Sequence, residues 1–199
     1  METGVLDYGG IKCDIAYNRG DRGPVILLHG YSFTWRVWKD IGLLQELERR
    51  RYSFAAPDMP YGRYSSCTTK TRDIGKSLGI VRELAARWSG DPVLLGASLG
   101  GYVALRYAAS YSVRGLVLVA PVGTRDPGVE PLYSGEPPPT MIVYGTADSI
   151  VGLGDVRELE SRIRGSRLVI YEGAGHAPYL DRPEPFVRDV LGFLDSLEA

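Results

Sequence analysis

Six short apolar runs set the terms on which this chain can fold. They lie within residues 24–28, 53–57, 93–97, 116–120, 140–145 and 167–171, and Val25-Ile26-Leu27-Leu28 and Leu116-Val117-Leu118-Val119 are typical. A strand with one wet face alternates polar and apolar residues, whereas an unbroken run needs cover on both faces. The stretches between the runs supply that cover. Thr34 to Arg50 carries Trp35, Trp38, Ile41, Leu44 and Leu47 at three- and four-residue spacings, the pattern of one amphipathic helix. The same period marks helices over Thr71 to Trp88, over Leu99 to Tyr111, around Val156, Leu159 and Ile163, and from Phe186 to Leu197, where Pro183 and Pro185 open the segment. Strands alternating with helices predict an α/β architecture with one mostly parallel twisted sheet covered on both faces.

Residues 5–18 alternate loosely and read as an edge hairpin turning at Gly9-Gly10. Residues 121–139 are dense in proline, glycine and charge, with no convincing helical period. No repeat or linker divides the chain, so we expect one domain over residues 1–199.

Net charge is −1, which argues against a nucleic-acid partner or an anionic membrane surface. No apolar run reaches membrane-spanning length, and the N-terminal residues lack the basic and apolar regions of a secretory signal. Cys13 and Cys67 stand far apart in sequence and outside any C-x-x-C motif, so they are not read as a disulfide framework. A cytoplasmic protein is the expectation, as a monomer or small homo-oligomer.

Chemistry enters at Val93-Leu94-Leu95-Gly96-Ala97-Ser98-Leu99-Gly100-Gly101. A Gly-x-Ser-x-Gly between an apolar strand and a helix reads as a nucleophile elbow. The small flanking residues permit a very tight turn with Ser98 at its tip. The Leu99 N–H opens the next helix, where unpaired donors and the helix dipole favour developing negative charge. A second such donor is the Tyr31 N–H, because Gly30 in His29-Gly30-Tyr31-Ser32 allows a sharp turn at the end of a central strand. His29 itself is read as structural.

A serine hydroxyl needs a proton acceptor. His176 lies in the Gly-rich loop Glu172-Gly173-Ala174-Gly175-His176 after the last strand, where open α/β sheets hold ligands. The imidazole in turn needs an orienting acid. Asp148 follows the preceding strand in Gly145-Thr146-Ala147-Asp148 and is preferred over Asp126, the rival acid. Asp155 and Asp181 read as helix caps or surface charges.

These motifs together resemble the α/β-hydrolase superfamily over essentially the whole chain. The interval between the strands at 116–120 and 140–144 is too short for the helical cap that many members insert there, so the chain looks lidless. His29-Gly30-Tyr31-Ser32-Phe33, Ile142-Val143-Tyr144-Gly145 and Gly175-His176-Ala177-Pro178-Tyr179-Leu180-Asp181 are similar to the small CCG-one-interacting factor B (abhydrolase domain 14) type. The elbow departs from that type and carries the glycines of general esterases. The resemblance implies hydrolysis of short acyl esters, and acyl transfer from lysine as a further activity.

The reading is therefore a serine hydrolase with Ser98, Asp148 and His176 as catalytic residues and the Tyr31 and Leu99 N–H groups as oxyanion hole. Its substrate is a small-molecule acyl ester, and it needs no cofactor and no metal. Thioesters, amides and acyl-lysine use the same machinery and stay open. The rival from another class is a binding protein that kept the fold.

Overall fold

The computed structural model describes residues 1–198. Eight strands form one sheet in the order β1-β2-β4-β3-β5-β6-β7-β8. β1 (Glu2–Tyr8) and β2 (Ile11–Asn18) make the antiparallel hairpin anticipated around Gly9-Gly10. β2 then pairs antiparallel with β4 (Tyr52–Pro57). From there the pairings are parallel, through β3 (Arg22–Leu28), β5 (Val93–Ala97), β6 (Gly115–Val119), β7 (Thr140–Gly145) and β8 (Arg167–Tyr171).

The unbroken apolar runs behave as their composition demands. Every residue of β4, β5, β6 and β7 is buried, and alternate side chains feed two separate cores. One core, under α1 (Arg36–Asp40), α2 (Leu43–Arg49) and α8 (Pro183–Ser196), collects Leu27, Leu95, Val117 and Val143 with Trp38 and Phe186. The other, under α3 (Ile74–Ala85), α4 (Leu99–Ala108) and α6 (Leu153–Arg162), collects Ile26, Leu94, Leu118 and Ile142 with Val81 and Leu105.

Three sequence expectations are corrected. The single helix over 34–50 is two, because Gly42 adopts φ 82° and breaks the i to i−4 ladder between α1 and α2. The segment 121–139 is not wholly irregular: a 3₁₀ turn (Pro127–Val129) leads into α5 (Glu130–Ser134), anchored by buried Val129 and Leu132. Cys13 and Cys67, 54 residues apart, form a disulfide that ties β2 to the loop after β4. Sequence distance gave no hint of that pairing, and it sets the expectation of a reducing compartment against a bond such compartments rarely keep. A short helix the periodicity did not show, α7 (Pro178–Asp181), precedes α8.

Among the described residues no separate cap domain stands between β6 and β7. Nor, among them, is any helix long and apolar enough to cross a membrane.

Candidate active site

Ser98 sits between β5 and α4 at φ 52°, ψ −112°, a region L-residues avoid. Neighbouring glycines make room for this turn. A Cβ on Gly96 would lie 2.4 Å from the Gly100 carbonyl oxygen, and one on Gly100 would lie 2.3 Å from the Leu28 carbonyl oxygen. The start of α4 is thus pressed against the end of β3. The strained serine is held by its backbone: its N–H donates to the Val119 carbonyl at 2.8 Å, and its own carbonyl accepts from Tyr102 N–H and Val122 N–H.

The contact with β3 brings the loop after that strand to the elbow. A Cβ on Gly30 would stand 3.6 Å from the Ser98 Cβ. Tyr31 follows, and its carbonyl accepts from Arg63 N–H at 2.7 Å. Among the described residues no protein group accepts from the Tyr31 or the Leu99 N–H.

His29 locks this loop from beneath. It is fully buried. Its Nε2 receives the Met59 N–H at 2.9 Å, so the ring proton is on Nδ1 and is donated to the Gly30 carbonyl at 2.8 Å. Burial lowers the His29 pKa below the ordinary value and outweighs the Gly30 hydrogen bond and the Asp58 charge, which raise it, keeping the ring neutral. Tyr61 O–H donates to the His29 carbonyl at 2.7 Å. The structural reading of His29 is therefore correct in kind, and its role is specific: it fixes the peptide from which the Tyr31 N–H projects.

The imidazole of His176 completes the constellation. Its Nε2 accepts from Ser98 Oγ at 2.9 Å, and its Nδ1 donates to Asp148 Oδ2 at 2.8 Å. The Asp148 side chain is fully covered, whereas the His176 ring keeps 20% exposure. The two loops are sewn together. A Cβ on Gly145 would meet the Ala174 carbonyl oxygen at 2.3 Å, the Ala147 N–H donates to that same oxygen at 2.9 Å, and the Gly173 N–H donates to Thr146 Oγ1 at 2.8 Å.

The structure brings together Ser98, Asp148 and His176 and places Gly30 beside them. It keeps Asp126 away: that carboxylate takes Arg106 at 3.0 Å and Tyr102 O–H at 3.0 Å, and caps the 3₁₀ turn at Gly128 N–H. Asp155 is a surface charge paired with Arg125 at 2.9 Å. Asp181 is more than that. Its Oδ2 accepts from Gly175 N–H at 2.8 Å and so shapes the turn that presents His176. Tyr179 beside it is buried against Trp38, with ring centroids 5.1 Å apart, and pins the histidine loop to the core. Asp58, which no sequence motif singles out, is buried and accepts from Trp35 N–H at 2.8 Å and Ser66 N–H at 2.6 Å. Only the aromatic at 179, three residues past the histidine, left a trace in the sequence that could have flagged an anchor.

The chain is similar to known proteins. The model for the "Alpha/beta hydrolase family" matches residues 25–135, and that for "TAP-like protein" matches 111–198. ABHD14A of Danio rerio is 35% identical over 181 residues, covering 89% of this chain and 66% of that protein, so the chain spans about two thirds of that relative's length. The human protein named "Putative protein-lysine deacylase ABHD14B" is 30% identical over 89% of this chain and 85% of its own length. Among solved structures, a "predicted CIB-like hydrolase" from Thermoplasma acidophilum superposes with TM-score 0.86 at 29% identity, with 97% of both chains covered. The esterase RhEst1 from Rhodococcus, 21% identical, shares the fold with TM-score 0.82 over 99% of this chain and 100% of that one. With the elbow, the capless sheet and these matches in place, the chain belongs to the α/β-hydrolase family.

Proposed function

We propose that this protein is a serine hydrolase that cleaves carboxylic esters with short or small acyl groups. The observation that carries the reading is the unbroken relay from Ser98 Oγ through His176 to Asp148. Ser98 Oγ attacks the acyl carbon as His176 Nε2 takes its proton. The negative charge formed on the carbonyl oxygen is met by the Tyr31 and Leu99 N–H donors, the second at the start of α4. His176 returns the proton to the leaving oxygen, and the acyl group stays on Ser98. Water then attacks that ester with His176 as base, releasing the acid and restoring the serine. Asp148 holds the ring in the Nδ1–H tautomer throughout and stabilises the imidazolium.

The capless crevice favours small acyl groups, because among the described residues no separate cap domain folds over a long chain to exclude water from it. A second reading is removal of an acyl group from a lysine side chain by the same steps. It is favoured by the 30% identity with ABHD14B, whose name carries that activity.

A panel of chromogenic esters from acetate to decanoate, with acetyl-lysine peptides, tests both. The ester reading expects turnover that is highest at acetate to butyrate and is lost in Ser98→Ala, with a serine-directed phosphonate labelling the native protein alone. Near-native turnover by Ser98→Ala, or no labelling, overturns it.

A further inference from the structure

We propose that the loop from Asp58 to Asp73 is an anion-recognition element that selects substrates carrying a carboxylate or phosphate away from the scissile bond. The proposal deepens the serine-hydrolase reading and rests on it for the position of the scissile bond. A cleft of about 390 Å³ opens beside Tyr31, and Arg63, Lys70 and Arg72 line it. The Arg72 guanidinium lies 5.1 Å from the centroid of the Tyr31 ring, and Arg63 N–H is bonded to the Tyr31 carbonyl. Tyr31 thus links the two places: Gly30, the residue before it, stands beside Ser98, and its ring forms a wall of the cationic cleft.

The charge balance of this loop is one-sided. It carries three cations and two carboxylates, and both carboxylates are already occupied by backbone donors. Asp58 is buried on Trp35 and Ser66, and Asp73 caps α3 through Gly75 N–H and Lys76 N–H. Among the described residues neither Arg63 nor Arg72 joins an ion pair, although many of this chain's other arginines do. Lys70 is steered by Ser65, whose Oγ it reaches at 2.8 Å. Net charge over the whole chain is −1, so this local surplus is not a reflection of composition.

The loop is also prebuilt. The Cys13–Cys67 disulfide, the Asp14 N–H to Ser66 Oγ bond at 2.7 Å, the Thr68 N–H to Lys12 carbonyl bond at 2.8 Å and the Thr71 N–H to Pro60 carbonyl bond at 3.0 Å fix it to β2 and to itself. Cations on a rigid frame bind an anion without first ordering the chain that carries them. The planar arginine forks suit carboxylate and phosphate oxygens.

Matched esters read this directly. In the acyl series, 4-nitrophenyl butyrate is compared with mono-4-nitrophenyl glutarate. In the leaving-group series, methyl 4-acetoxybenzoate is compared with 4-acetoxybenzoate and 4-acetoxyphenyl phosphate. The expected result is a kcat/KM ratio of anionic to neutral ester of about tenfold in one series, carried by KM. The phosphate and carboxylate arms decide which anion is preferred. The ratio should fall towards one in Arg63→Gln/Arg72→Gln and shrink in 0.5 M salt. Calorimetric binding of the same esters to Ser98→Ala separates the two readings. Anion-selective binding without turnover by the native enzyme removes the hydrolase reading and keeps the cleft. Equal binding of neutral and anionic esters, or a preference unchanged in the double variant, overturns the anion-recognition element.

Discussion

Asp148 divides its carboxylate between two tasks, and only one concerns His176. Oδ2 takes the imidazole Nδ1–H at 2.8 Å, while Oδ1 takes the N–H groups of Ile150 and Val151 at 2.7 and 3.0 Å. The acid is therefore a ligand of its own turn, which is why it can aim one oxygen at the ring. In Asp148→Asn the turn keeps an acceptor, but the ring loses the partner that fixes its tautomer. Turnover should fall by about 10⁴ with little change in melting temperature. Asp148→Ala should lose the same activity and about 1 kcal/mol of stability as well. Equal stability of the two variants would show that the Oδ1 bonds contribute nothing.

Two glycine substitutions separate packing from propensity. A methyl at Gly100 meets the Leu28 and His29 carbonyl oxygens at 2.3 and 2.7 Å, and both are backbone at the root of the loop that carries Tyr31. Gly100→Ala should cost at least about 1–3 kcal/mol and reduce turnover, because relief requires moving α4 away from β3. Gly154 lies in the first turn of α6, and a methyl added there would meet nothing within 4 Å. Gly154→Ala should be neutral or stabilising by up to about 1 kcal/mol. Thermal unfolding with ester turnover checks both.

Acid should act through His29. Its folded-state pKa is lowered by burial, so the unfolded chain binds the proton first. The stability this neutral histidine contributes is present above the unfolded value near 6.5 and is lost as pH falls through the lowered folded value. As pH falls below about 6.5, the melting temperature of the native protein should drop more steeply than that of His29→Gln, which starts lower and has no such proton to bind. Parallel curves would remove His29 as the source.

The Cys13–Cys67 bond joins residues 54 apart in sequence. Protein purified without reductant should have a mass lower by two hydrogens than the reduced chain and should not react with thiol reagents. Reduction, or Cys13→Ser, should cost on the order of 2–4 kcal/mol, read by urea unfolding. A fully thiol-reactive protein of unchanged stability would show the link to be absent.

How much of this the sequence revealed follows from how local each signal is. The strands were legible because burial on both faces writes itself into consecutive residues. Ser98, Asp148 and His176 were legible because each follows a strand of one parallel sheet, so chain order alone delivers them to one edge. The break at Gly42 was hidden by apolar residues that keep helical spacing across it. The disulfide, the bond from Gly175 to Asp181 and the burial of Asp58 were not legible, since each depends on how a loop folds back, and loop closure has no periodic signature.

The connection from β6 to β7 leaves the sheet next to Ser98, with Pro121 against Gly101, and then uses its length on one 3₁₀ turn and one five-residue helix. That makes it a grafting address. A helical hairpin spliced between Pro121 and Pro127 would overhang the crevice, turning the uncovered site proposed above into a gated one whose tolerance for chain length is set by the insert.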